Sequence, residues 1–187
     1  FWAIEPLLRL PATKLSPEML EVVTDCYRGK LLAGFVIDES DPFLRWLEGR
    51  REQLHRQVML VFDERIRRLM TQGNDTLPEA LQLAEQQLTF EAWREESHRH
   101  VMQLLALQGQ RSAALAHFEQ CKKLLADELA VEPDAQTMQL LAQIQRDEIG
   151  GHIAQRLNGN PQRQNQNQNQ RLDQGDSQLT ANGALDS

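Results

Sequence analysis

The chain has 187 residues, of which 20 are Lys or Arg and 27 are Asp or Glu, so its formal net charge is −7. Hydrophobic residues make up 41% of the chain, and few of them are aromatic. The chain is rich in residues that lose little rotamer freedom in a helix, and this composition predicts one helical domain. The longest apolar run, residues 31–37, is far shorter than the roughly 20 residues of a membrane helix, and this excludes a membrane span.

The start of the chain and its cysteines bear on where the protein is found. The chain begins with Phe1 and shows no basic segment followed by an apolar one, so we expect no signal peptide and a piece of a longer protein. Cys26 and Cys121 have no second cysteine nearby. This spacing predicts two buried thiols in a reducing compartment, with the cytoplasm as the expected location.

The front of the chain contains two helix-start signals. Residues 1–15 carry apolar side chains between prolines, so we predict an entry segment that packs on a core without forming a long helix. Ser16 followed by Pro17 predicts the start of a first helix, which ends at Gly29. Asp41 and Pro42 repeat the signal and open a second helix of about 30 residues.

Four more helices are predicted, over residues 76–88, 91–107, 111–129 and 133–149, and short connections make them antiparallel neighbours. One internal offset is informative. Ala80 recurs as Ala114 and Arg65 as Arg99, each 34 positions on, and this is the tetratricopeptide period. The predicted fold is therefore all-α, with tetratricopeptide-like antiparallel helix pairs forming a short superhelical array over residues 16–157.

The end of the chain differs in composition. Residues 158–187 are rich in Gln and Asn and contain too few apolar side chains to bury a core, so we predict a disordered linker or tail.

The helical region also carries a dense family-like pattern. Residues 93–133 read WREESHRHVMQLLALQGQRSAALAHFEQCKKLLADELAVEP, and Thr137, Leu140 and Ile144 follow. Upstream, Tyr27-Arg28-Gly29, Leu31-Leu32, Gly34, Phe43, Trp46-Leu47 and Arg51 belong to the same pattern. It closely resembles the bacterial transcriptional activator domain of the antibiotic regulatory proteins of actinomycetes and their relatives.

The resemblance implies a regulatory protein-interaction and self-association module of a transcriptional activator. In that family the helical domain usually follows a winged-helix DNA-binding domain, which this chain lacks, so direct nucleic-acid binding is not expected. The implied partners are its own adjoining domains, the transcription machinery or a second copy, with no membrane partner. The alternative is a scaffold module of a multidomain signalling ATPase or cyclase, and the residues preceding Phe1 would distinguish the two.

Two arginines are candidates for partner binding. If the 34-residue register holds, Arg65 and Arg99 occupy equivalent places lining a concave groove, together with Gln103, and could bind a partner's carboxylate. Alternatively, Arg99 ties its helix to Glu95 or Glu119. A separate self-association surface is predicted on an uncovered face of the N-terminal half, formed by Leu7, Leu8, Trp46 and Val58.

The sequence contains no convincing pattern for a catalytic site or a metal site. His98, His100 and Cys121 do not supply the four convergent ligands of a closed zinc site, and no nucleophile or phosphate-loop motif is present, so we expect no metal, no cofactor and no enzyme. The long second helix has seven arginines against four acids. A solvated face with pairs such as Glu52–Arg56 and Glu64–Arg68 is favoured over a nucleic-acid stripe.

Overall fold

The computed structural model describes residues 4–29 and 41–149, which form six helices and no strand. The helices are α1 (Pro17–Cys26), α2 (Asp41–Gln72), α3 (Leu77–Phe90), α4 (Glu95–Leu107), α5 (Arg111–Leu129) and α6 (Ala135–Gln145). Short 3-10 turns occupy Leu7–Arg9, Ala12–Lys14 and Asn74–Thr76. The predicted all-α, tetratricopeptide-like fold is confirmed. The predicted tail, and the part of the family-like pattern at residues 31–34, lie outside the described residues.

The predicted helix starts rest on identifiable caps. Ser16 Oγ accepts a hydrogen bond from the Met19 backbone N–H at 3.3 Å, and Pro17 occupies the first turn of α1. Gly73 and Gly109 have φ of 133° and 77° after α2 and α4, so each ends a helix in a conformation that side chains disfavour. The boundaries of α5 agree with the predicted 111–129.

Three helices are shorter than predicted. α1 ends at Cys26, before the predicted end at Gly29. At the start of α4, the Arg94 N–H bonds to the Glu91 carbonyl at 3.2 Å, and this turn delays the helix until Glu95. At the end of α6, Asp147 adopts a left-handed conformation with φ of 58°, which stops the helix at Gln145. Asp is one of the residues that tolerates this conformation.

The helices pack in chain order, α1 to α5 each against the next, and α6 lies against both α4 and α5. Ala80 and Ala114, the residues of the 34-residue offset, are both fully buried. A first core surrounds Phe62 and Ile66 of α2, and a second joins Met102 of α4 to α5 and α6. The entry segment also contributes to the first core, through buried Ile4, Leu8 and Leu15.

These helices form one compact unit. Across the described ranges, no helix combines the length and the apolar character needed to cross a membrane. The domain boundaries at residues 15 and 157 remain predictions.

One of the two thiols departs from the prediction. Cys121 is buried on α5, as expected, and burial raises its pKa to about 11. Cys26 is exposed, so the expectation of two buried thiols is wrong for this residue. The reason is its position on α1, whose packed face is formed by Leu20, Val23 and Thr24.

Candidate interaction surfaces

Arg65 joins three helices. Its Nη1 donates to Thr24 Oγ1 and, at 3.0 Å, to Asp25 Oδ1 of α1, while Nη2 donates to Glu79 Oε1 of α3 at 2.7 Å. Only 12% of the side chain is exposed. Arg65 therefore ties α1 and α3 to α2, and its charge is balanced within the chain.

Arg99 has a similar role at the other end of the array. Its Nη1 donates to Asp134 Oδ2 at 2.8 Å and to Thr137 Oγ1 at 3.0 Å, at the start of α6. Glu95 Oε2 accepts from the Asp134 N–H at 2.8 Å and from Thr137 Oγ1 at 2.7 Å. Burial opposes ionisation of Asp134, but the Thr137 hydrogen bonds and the charge of Arg99 outweigh it, so the pKa of Asp134 is lowered.

The prediction that Arg65 and Arg99 bind a partner's carboxylate loses support, because both guanidinium groups already bind carboxylates of this chain. The alternative of a tie between helices fits the structure, with Asp134 as the acid in place of the expected Glu95 or Glu119. Gln103 lies half-buried on α4, one turn beyond Arg99.

The predicted self-association surface is wrong at two of its four residues. Leu8 and Val58 are 3% and 0% exposed and belong to the first core, because the entry segment folds onto α2 and covers the face that was expected to be open. Leu7 is partly buried against the same core. Trp46 is 61% exposed, and its ring centroid lies 5.7 Å from that of Phe43.

The arginines of α2 are largely neutralised by acids. Arg50 pairs with Glu5 of the entry segment at 2.7 Å. Arg67 and Arg68 both bind the buried Glu64, at 2.7 Å and 2.6 Å, and the expected i, i+4 pair Glu64–Arg68 is thereby confirmed. Burial of Glu64 opposes its ionisation, but these two arginines outweigh it and lower its pKa. The helix thus does not present a continuous stripe of uncompensated positive charge to phosphates.

A buried polar network was not found from the sequence. Tyr27 Oη and His55 Nδ1 are 2.6 Å apart, and His55 Nε2 lies 2.8 Å from Glu91 Oε1. Burial, reinforced by the nearby charge of Glu91, raises the pKa of Tyr27 to about 12. The sequence did contain a signal for this network, because a polar residue, His55, follows Leu54 within the apolar stripe of α2.

The network continues from the α3–α4 turn. Arg94 binds Asp63 through two hydrogen bonds of 2.8 Å and 2.7 Å, and Gln87 Nε2 donates to the same Asp63 Oδ1 at 2.8 Å. Ser97 Oγ donates to Gln87 Oε1 at 3.2 Å. Side chains of α2, α3 and α4 are thus joined by hydrogen bonds in addition to their apolar contacts.

One group of potential metal ligands occurs in the described ranges, formed by Asp63, Glu96 and His100, whose ligand atoms lie within 4.8 Å of one another. The Arg94 guanidinium donates to both carboxylates, at 2.7 Å in each case. Because Arg94 already supplies the positive charge there, the group fits an ion-pair network better than a metal centre. His98 is not part of this group and contacts His117.

A cleft of about 220 Å³ lies between α1, α2 and α3. Two leucines, two arginines and two glutamates are among its lining residues: Leu20, Leu69, Arg65, Arg68, Glu21 and Glu79. Both arginines are bonded within the chain, and the charges cancel. The cleft therefore offers no distinct chemistry for a reaction.

Comparison with known families places these observations in context. A model of the bacterial transcriptional activator domain matches residues 10–145, which include all six helices. No curated protein and no solved structure gave a significant match. The family is regulatory rather than enzymatic. Because the match covers more than half of the 187 residues, the chain belongs to the family of bacterial transcriptional activator domains.

Proposed function

We propose that this chain is a regulatory protein-interaction and self-association module of a bacterial transcriptional activator. The observation that carries the proposal is the family match, which runs from the entry segment to the last residue of α6. In the intact activator, a separate domain binds DNA, and the helical array receives or transmits the regulatory contact. The cytoplasm stays the predicted location.

The distribution of charge supports contact with protein over contact with DNA. Arg50, Arg67 and Arg68 of α2 are paired with acids, and the chain as a whole is acidic. Sequence-independent DNA binding depends on a cluster of uncompensated positive charges that release counterions from the phosphates.

Exposed apolar side chains support the same conclusion. Trp46 and Leu60 on α2 are 61% and 58% exposed. Large aromatic and aliphatic side chains are the usual anchors of protein interfaces. The ion pairs between helices hold these anchors on a rigid scaffold, so a partner meets them already positioned.

The test compares the intact activator with a version from which residues 10–145 are deleted. We expect the deleted version to bind promoter DNA in a mobility-shift assay while losing activation of a reporter fused to that promoter. The isolated 187-residue chain should show no mobility shift at low salt. Full activation by the deleted version, or a salt-sensitive shift with the isolated chain, would contradict the proposal.

A further inference from the structure

We propose that α2 carries the self-association surface: a second copy of the chain packs antiparallel along its outward face, with Trp46 of each copy against Arg56 of the other. The inference deepens the self-association part of the proposed function and rests on it.

The surface has a regular spacing. Six exposed residues of α2 are separated by alternating steps of four and three: Pro42, Trp46, Gly49, Gln53, Arg56 and Leu60. We call them the outer stripe. Steps of four and three keep side chains on one face of a helix and are typical of a seam between two helices. The opposite side of α2, with Leu54, Val58 and Phe62, is buried in the chain's own core.

The outer stripe has an apolar anchor near each end. Trp46 is 61% exposed and Leu60 is 58% exposed. Phe43 lies beside Trp46, with 5.7 Å between the centroids of the two tilted rings, and adds apolar surface at this end of the stripe. Exposed apolar residues that line up on one face are the kind of surface that a partner covers.

Nothing in residues 4–29 and 41–149 explains why position 49 is a glycine. Glycine weakens a helix interior, and it is normally kept where a positive φ or a close approach requires it. Gly49 lies inside α2, has no such φ, and a Cβ atom placed on it would meet nothing within 4 Å. A helix that approaches from outside supplies the missing reason, because only glycine leaves the backbone surface open to a side chain of that helix.

Arg56 indicates the identity and direction of the partner. It is exposed and, unlike Arg50, Arg67 and Arg68, forms no ion pair or hydrogen bond with other residues in the part of the chain that the structure describes. The expectation of a Glu52–Arg56 pair is therefore wrong. A cation placed over an indole ring is attracted to it. The outer stripe therefore contains both the aromatic ring, Trp46, and the cation, Arg56, of such a pair. When two copies meet through this stripe, the contact forms twice.

Direction follows from charge and spacing. A parallel pair of α2 helices in register would place Arg56 against Arg56 and leave like charges in contact. An antiparallel pair related by a two-fold axis at the level of residue 51 places Trp46 opposite Arg56 and Gly49 opposite Gln53, on both sides of the axis. This is an isologous interface, in which each contact occurs twice.

A charge exchange tests the contact between Trp46 and Arg56. Sedimentation equilibrium of the 187-residue chain should show a monomer–dimer equilibrium. Trp46→Lys should weaken the dimer at least about tenfold, since it removes an anchor and sets two cations opposite each other. Combining it with Arg56→Glu should restore dimerisation. Within one helix these positions are about 15 Å apart, so the rescue must act through the second copy.

Two further variants serve as controls. Trp93→Lys replaces a similarly exposed tryptophan outside α2, and it should leave the dimer unchanged. Gly49→Ala should raise the melting temperature of the monomer and weaken the dimer severalfold, since the added methyl fills the place of close approach. A change that only affected folding would not produce these opposite effects.

Three results would overturn the interface: a wild-type chain that stays monomeric at high concentration, a dimer indifferent to Trp46→Lys, or a double variant that is not rescued. These outcomes differ from a failure of the proposed function. If the chain is monomeric but activation still requires residues 10–145, the interface is wrong and the regulatory role stands. If the dimer forms as described but activation does not need those residues, the regulatory role is wrong.

Discussion

His98 Nδ1 lies 2.9 Å from His117 Nε2, and this contact joins α4 to α5. The second nitrogen of His98, Nε2, lies 2.8 Å from the Ala92 carbonyl oxygen. A carbonyl oxygen only accepts hydrogen bonds, so Nε2 carries the proton of a neutral His98 and Nδ1 accepts from His117 Nε2. Protonation of His98 at Nδ1 replaces this acceptor with a second donor, so the contact is lost unless His117 moves its own proton to Nδ1 and accepts at Nε2.

The histidine pair predicts a loss of stability in mild acid. Burial lowers the pKa of His98, and burial with the neighbouring His98 lowers the pKa of His117 to about 4. In the unfolded chain both groups titrate near about 6.5, so the unfolded state binds protons first as the pH falls. The stabilisation is fully present above about pH 6.5 and declines toward the lower folded-state pKa values.

We expect urea unfolding to give a free energy of unfolding lower by about 1 to 2 kcal/mol at pH 5 than at pH 7.5, a value reduced for solvent screening of the partly exposed pair. His117→Gln retains an N–H donor for His98 but cannot titrate, and should flatten this pH dependence. An unchanged slope in the variant would show that other groups cause it.

The Arg94–Asp63 pair predicts a large cost for removing one partner. Their side chains are 17% and 14% exposed, and Gln87 also binds Asp63. Arg94→Ala leaves Asp63 charged and largely buried, so we expect a loss of about 3 kcal/mol of unfolding free energy in urea. Arg67→Ala is the matched control.

Arg67 also binds a buried acid, but its own side chain is 62% exposed. Because Arg68 continues to pair with Glu64, the control should cost less than about 1 kcal/mol. Equal losses in the two variants would contradict the importance assigned to the network.

Two glycines predict opposite responses to alanine. Gly49 has helical backbone and open space around it, so Gly49→Ala should stabilise the monomer by about 0.5 to 1 kcal/mol. Gly109 has φ of 77° between α4 and α5, and Gly109→Ala should destabilise the fold because alanine is strained there. Thermal unfolding at low protein concentration measures both, and a destabilising Gly49→Ala would show an intramolecular role for that glycine.

The thiols predict selective alkylation. Cys26 is exposed, whereas Cys121 is buried and its pKa is raised to about 11 by burial. The thiolate is the reactive form, so a thiol reagent at pH 8 should label Cys26 quickly and Cys121 only after unfolding. Mass spectrometry of the native and urea-treated chain gives the result, and rapid labelling of Cys121 in the native chain would indicate opening between α4 and α5.

The helices could be predicted from local signals in the sequence. The errors in their predicted boundaries also have local causes. Arg111–Leu129 was predicted correctly because Gly109 marks the preceding turn and the apolar pattern continues without a break. The predicted end of α6 is too late, because Asp147 adopts a left-handed conformation that its residue type tolerates but does not require.

The contacts between distant segments were harder to predict. The sequence does not show that the entry segment folds over α2, so the predicted exposure of Leu8 and Val58 is wrong. Arg94 and Asp63 are separated by 31 positions, and their pairing depends on the packing of α3 between α2 and α4. The burial of Arg65 and Arg99 against acids has the same origin.

Regulation through protein contact at α2 is tested most directly by reporter activation in cells that express the intact activator. Trp46→Lys should reduce activation, and the Trp46→Lys/Arg56→Glu variant should restore it in step with dimerisation, while Trp93→Lys leaves it unchanged. Full activation by Trp46→Lys, at equal protein level and with its dimerisation lost, would contradict the role of this surface in regulation.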